Sequence, residues 1–238
     1  VSGAAYVFAR NAGNWSQQSY LKASNTEAGD AFGWTVAISG ETIIIGAPFE
    51  AGTPGNPNND SASGAGAAYV FMRSAGVWNQ QAYLKASNAQ GESADAWGDR
   101  FGQSVAISGD TIVIGAYGEA SIATGVNGAQ SDNSANEAGA AYVFVRSGTN
   151  WTQQAYLKAG NARYSMVFGS AVALSGDTLS VGAPGEYGGG TGVNPVPNIM
   201  MPQAGAVYVF VRSGTAWSQQ AYLKASNTGG DDHFGQAV

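Results

Sequence analysis

Large and small residues alternate along Phe101-Gly-Gln-Ser-Val-Ala-Ile-Ser108: Phe101, Gln103, Val105 and Ile107 take one parity, Gly102, Ser104, Ala106 and Ser108 the other. A period of two predicts a strand, and the very small residues suit a strand at a crowded axis. A tight Gly109-Asp110 turn leads into Thr111-Ile-Val-Ile-Gly-Ala116. That unbroken apolar run predicts a strand covered on both faces, in mid-sheet. Ala140-Ala-Tyr-Val-Phe-Val-Arg146 is apolar on both parities and predicts a third strand. Ser147-Gly148 then turns the chain into Trp151-Thr-Gln-Gln-Ala-Tyr-Leu-Lys158, where polar and apolar residues alternate. Lys158 marks this fourth segment as an outer edge strand, because charge on an edge discourages unwanted pairing.

The same pattern recurs. Gly3-Ala-Ala-Tyr-Val-Phe8 returns at Gly66 to Phe71, Gly139 to Phe144 and, with one change, Gly205 to Phe210. A second phrase, Gln17 to Asn25, returns at Gln80 to Asn88, Gln153 to Asn161 and Gln219 to Asn227. Repetition this dense predicts one supersecondary unit stacked several times. Four antiparallel strands per unit, from a small-residue inner strand to an outer one, describe the blade of an all-β propeller. A flat sandwich is the alternative, but sandwiches do not usually repeat one sequence at blade-sized intervals. The units run approximately 1–24 (partial), 32–86, 101–159, 168–225 and 234–238 (partial), forming one domain over 1–238. That is about three and a half blades where closed propellers have about four to eight. Closure is expected from residues absent here or from a second chain.

Phe-Gly opens the inner strand at Phe32-Gly33, Phe101-Gly102, Phe168-Gly169 and Phe234-Gly235. Gly-Ala-Pro closes the second strand at Gly46 to Pro48 and Gly182 to Pro184, with Gly115-Ala-Tyr117 as a variant. In these motifs the chain resembles the FG-GAP repeat, found in the propeller heads of integrin α chains and in many bacterial surface and secreted proteins. The resemblance implies a propeller fold and an extracellular or cell-surface setting. Calcium-binding members carry an Asp-rich loop between the first two strands. Here only Ser39-Gly40-Glu41, Ser108-Gly109-Asp110 and Ser175-Gly176-Asp177 stand there. Such turns are too short to give a calcium ion its roughly six to eight oxygens, so that metal site is not carried over.

Composition narrows the function. With 44% hydrophobic and 11% charged residues, and 35 glycines, the chain has ample core material and many turns. It has no cysteine, hence no disulfide and no thiolate chemistry. A formal charge of -6 with only ten basic residues argues against a nucleic-acid partner. No apolar stretch reaches the roughly 18 residues of a membrane span, and no signal-peptide pattern opens the chain. The expectation is a mature or trimmed soluble segment.

The connections between strands two and three (49–64, 118–138, 185–204) and those leading into each inner strand (26–31, 89–100, 162–167, 228–233) are long and share one rim. Binding usually resides on such loops. Every acidic residue except Glu41, Asp110 and Asp177 lies in them, while eight of the ten basic residues recur on strands, so this rim is expected to be strongly acidic. Two carboxylates recur in register there: Asp30, Asp99 and Asp232 precede Phe-Gly by two residues, and Glu50, Glu119 and Glu186 follow the Gly-Ala-Pro position by two. One reading has a blade's Asp and Glu share a calcium ion with backbone carbonyls. The other has the Asp residues cap backbone amides where the strand begins. Met166 replaces the Asp in the third repeat.

Trp15, Trp78, Trp151 and Trp217 recur in register and read as core. Phe49, Trp97, Tyr117, Tyr164 and Tyr187 break the repeat beside the long loops, where flat rings next to carboxylates and amides suit stacking on sugar faces; tucking against their own loops is the alternative. Trp34 also departs from register. The single histidine, His233, and the absence of a nucleophile-elbow motif leave catalysis poorly supported. The expected function is a non-enzymatic extracellular binding or adhesion module of bacterial type, holding a glycan or protein. An architectural subunit of a surface assembly is second and a glycoside hydrolase third.

Overall fold

The computed structural model describes residues 2–93, 97–196 and 200–238. Among these there is no helix. A hairpin of β1 (Ala5–Asn11) and β2 (Asn14–Leu21) comes first. Blade one follows with β3 (Thr35–Ser39), β4 (Thr42–Ala47), β5 (Ala67–Ser74) and β6 (Val77–Leu84). Blade two holds β7 (Ser104–Ser108), β8 (Thr111–Ala116), β9 (Ala140–Ser147) and β10 (Asn150–Leu157). Blade three holds β11 (Ala171–Ser175), β12 (Thr178–Ala183), β13 (Gly192–Val193), β14 (Ala206–Ser213) and β15 (Ala216–Lys224). Within each blade the strands pair antiparallel in sequence order, except that β13 folds back outside β15. The innermost strands β3, β7 and β11 are neighbours in a row. The architecture is an unclosed β-propeller arc.

The inner strand starts three residues later than the alternation predicts. Phe101 forms a parallel bridge to Gly66 of the preceding blade, and Gly102 has a φ of 93° that only glycine adopts freely. Phe-Gly is therefore a hook between blades. The phenyl ring of Phe101 meets Tyr142 and Phe144 edge-on at 5.4 and 6.1 Å, and Phe32 and Phe168 repeat this in their own blades. The Gly of Gly-Ala-Pro has the complementary reason: a Cβ on Gly115 would overlap the carbonyl oxygen of Gly169 in the next blade, as one on Gly46 would overlap that of Gly102.

The paired glutamines also join blades. Each β-bulge on the fourth strand leaves its second Gln unpaired in the ladder. That side chain reaches the next blade, where the indole Nε1 of Trp78 donates to Gln18, Trp151 to Gln81 and Trp217 to Gln154 at 2.8–3.0 Å. The first Gln of each pair reaches the other way: Gln80, Gln153 and Gln219 accept from the backbone amides of Ser24, Ser87 and Gly160. Neutral bonds of this kind contribute roughly 1 kcal/mol each, so the joints add to apolar burial without replacing it.

The β1–β2 hairpin forms a two-stranded sheet among the described residues. Tyr6 is 58% exposed where Tyr69, Tyr142 and Tyr208 are fully buried. Tyr6, Phe8, Val36 and Ile38 line an apolar trough of about 240 Å³ between the hairpin and blade one.

Candidate functional site

Lys158 is not an edge charge. It is fully buried, and its Nζ donates to Glu119 Oε2 at 2.6 Å. Lys85 and Lys224 hold Glu50 and Glu186 in the same way at 3.1 and 2.7 Å. The correction has a geometric cause: the long loop after the second strand folds back beneath the end of the fourth, putting loop glutamate and strand lysine in one buried place. Around the pair, Glu119 accepts from Tyr156 Oη at 2.8 Å, from Asn88 Nδ2 at 3.0 Å and from the backbone amide of Ser121. Asn88 belongs to the preceding blade's final loop and also accepts from Tyr142 Oη at 2.7 Å. Glu50 has the same ring of donors in Asn25, Tyr83 and the amide of Gly52. Burial pulls the Lys85 and Lys158 ammonium groups down in pKa, opposed by the facing carboxylates of Glu50 and Glu119.

These glutamates do not fit a calcium ion. Both oxygens of Glu50 and of Glu119 already accept hydrogen bonds, and an ammonium stands where a cation would have to bind. The aspartates are separately engaged as backbone caps: Asp30 accepts from the amide of Glu27, Asp99 from that of Gln90 and Asp232 from that of Gly229, at 2.6–3.0 Å. Among the described residues no three His, Asp or Glu side chains converge as a metal group.

The rim is less acidic than its composition suggests, because three of its glutamates are buried under lysines. The opposite rim is neutralised too: Arg73 pairs with Glu41, Arg146 with Asp110 and Arg212 with Asp177.

Of the five off-repeat aromatics, two come together. Phe49 follows β4, and Trp97 lies in the segment leading into blade two; the guanidinium of Arg100 lies between them, 4.4 Å from the Phe49 ring centroid and 5.8 Å from that of Trp97. Trp34, at the start of β3, meets Phe49 edge-on at 6.0 Å. Trp97 also walls a cleft of about 460 Å³ whose other sides include Asp99, Gln90, Ser93, Asn133 and Asn136. Burial lifts the Asp99 carboxyl to about 7, against the hydrogen bond from Gln90 that favours its charge. Tyr187 lines a second cleft of about 380 Å³ with Glu137, Ser165, Gln203, His233 and Gln236. Tyr164 is exposed and Tyr117 half-buried; neither makes a ring contact with the others among the described residues.

Arg100 and the lysine–glutamate pairs escaped the reading of the sequence. The pairs left a signal, since Lys and Glu recur together in three units. Arg100 left one as well, because it stands where the other repeats have Ala31, Val167 and His233.

Unclosed sheets of four antiparallel strands, hooked together by Phe-Gly and Gly-Ala-Pro glycines, define a propeller built of integrin-like repeats. The family model for the FG-GAP repeat matches residues 15–71, 78–144 and 151–210, and the chain belongs to the FG-GAP repeat family. Such repeats are typical of propeller modules involved in binding and occur in extracellular or surface proteins. No curated protein matches the chain. No helix among the described residues is long and apolar enough to cross a membrane.

Proposed function

We propose that this chain is a non-enzymatic extracellular binding module of bacterial type that holds a glycan on its long-loop rim. The observation that carries the reading is the cleft walled by Trp97 and Asp99. It joins one exposed indole to a set of amide, hydroxyl and carboxyl groups, the combination that stacks on a sugar face while hydrogen-bonding its hydroxyls. Asp99, poised near neutrality, can serve a hydroxyl as donor or acceptor. Hydrolysis draws no support from the recurring glutamates, which are held in buried ion pairs.

A glycan array probed with the isolated protein, with and without chelator, tests the reading. The expected result is saturable binding to a restricted set of sugars, unchanged by chelator and abolished in Trp97→Ala while circular dichroism shows the fold intact. Silence across the array sinks it.

A further inference from the structure

Arg100 is the one arginine or lysine at a backbone position that recurs four times. Ala31, Arg100, Val167 and His233 all precede the inner-strand Phe or its equivalent, and all hold a left-handed φ of 49–59°. The turn itself therefore does not need arginine. Arg100 is 3% exposed, yet the two rings against it are open to solvent, Phe49 at 38% and Trp97 at 66%, and Trp34, which meets Phe49, is 54% exposed. A buried cation beneath exposed aromatic rings inverts the usual order, in which charge stays outside and rings go in.

Its hydrogen bonding points the same way. Nη2 donates to Glu92 Oε1 at 2.6 Å, an ion pair that engages one end of the group. Nε and Nη1 are buried and donate to no partner among the described residues. A guanidinium left with unspent donors in a dry place needs a compensating attraction, and the two ring faces supply it. Lysine could not substitute, because stacking requires the planar, weakly hydrated group.

We infer that Arg100 clamps Phe49 and Trp97, and through Phe49 also Trp34, into a preformed stacking surface for an oligosaccharide of at least two sugar residues. This rests on the reading of the rim as a glycan site. The three rings come from three chain segments, and without a common partner each would have to be ordered by the ligand at the moment of binding. Ordering rotamer-rich side chains costs affinity, so a clamp set in advance raises it. The ligand size follows from the shape of the row. Trp34 meets Phe49 at 81°, so the surface turns a corner and ends in an exposed indole on either side. One sugar ring covers one indole; contact with both ends takes a chain.

The test uses the whole protein labelled with 5-fluorotryptophan and followed by fluorine NMR, the Trp34 and Trp97 signals being assigned from Trp34→Phe and Trp97→Phe. In the absence of sugar, Arg100→Ala is expected to shift and narrow the Trp97 signal while leaving circular dichroism unchanged, and Arg100→Lys is expected to behave like the alanine variant. Cellopentaose, xylopentaose and chitopentaose are then titrated beside their monosaccharides. At least one pentaose should move both the Trp34 and Trp97 signals, its monosaccharide should not move both, and Arg100→Ala should weaken the pentaose at least tenfold. A Trp97 signal indifferent to both Arg100 variants overturns the clamp, whatever the sugars do. A pentaose that moves Trp97 and leaves Trp34 still overturns the two-ended surface but spares the cleft. If no pentaose moves either signal, the oligosaccharide surface falls; a silent array beside it takes the glycan reading down as well.

Discussion

Replacing Lys158 by Met removes the cation paired with Glu119 and keeps nearly the same volume. Both side chains are almost wholly buried, so the abandoned carboxylate cannot recover hydration. Breaking a buried pair from one side costs about 3–5 kcal/mol. For a chain of this length about 1 kcal/mol moves the melting temperature by roughly 2–4 °C, so the expected drop at pH 7 is roughly 6–20 °C. Adding Glu119→Gln removes the stranded charge and keeps an acceptor for Tyr156 and Asn88; the double variant should recover more than half of the loss. Urea unfolding of wild type, both single variants and the double completes the cycle. A loss below about 1 kcal/mol for Lys158→Met, or a double variant as unstable as the sum of the singles, would refute the reasoning.

Three other outcomes follow. Asp99, raised by burial from the ordinary aspartate range to about 7, carries a penalty absent below pH 4 and growing to at most about 4 kcal/mol above pH 7; Asp99→Asn should stabilise at pH 8 and change little at pH 4 in the same unfolding assay. Gly115→Ala, which forces a methyl onto the Gly169 carbonyl, should cost several times more than Gly148→Ala, which meets open space and only a left-handed backbone worth about 1 kcal/mol; comparative thermal melts decide it. Because the glutamates are filled by ammonium and amide donors, millimolar calcium or chelator should leave the melting temperature within about 1 °C, and a calcium-dependent rise of more than about 5 °C would contradict the fit argued from Glu50 and Glu119.

The blades were legible because period-two alternation and verbatim repetition act locally and point to the same unit; β8 lies where its apolar run predicts. The inner strand was misjudged at Phe101 and Gly102 because the motif that opens it serves a neighbouring blade, and a contact between units leaves no trace in the alternation of one. Lys158 was misread for a related reason. Its position at the end of an alternating strand resembles a solvent edge, and only the return path of a loop more than 30 residues away reveals the carboxylate that buries it. Phe49 and Trp97 stood out as departures from the repeat. That they share a guanidinium could not be seen, because Arg100 is near in sequence to one of them and far from the other.

The Asn-to-Glu bond runs in one direction: Asn25, Asn88 and Asn161 each serve a glutamate that lies later in the chain, at Glu50, Glu119 and Glu186. During synthesis the asparagine has therefore always emerged before the glutamate it serves, and the lysine that completes the lock arrives with the last strand of the same blade. Chains are made at roughly 5–20 residues per second, so each blade can close its lock within seconds of its final strand clearing the ribosome, without waiting for the next blade's lock. The molecule carries an assembly order from the amino end onward, and a ribosome paused between blades would hold out a finished lock instead of a stranded buried charge.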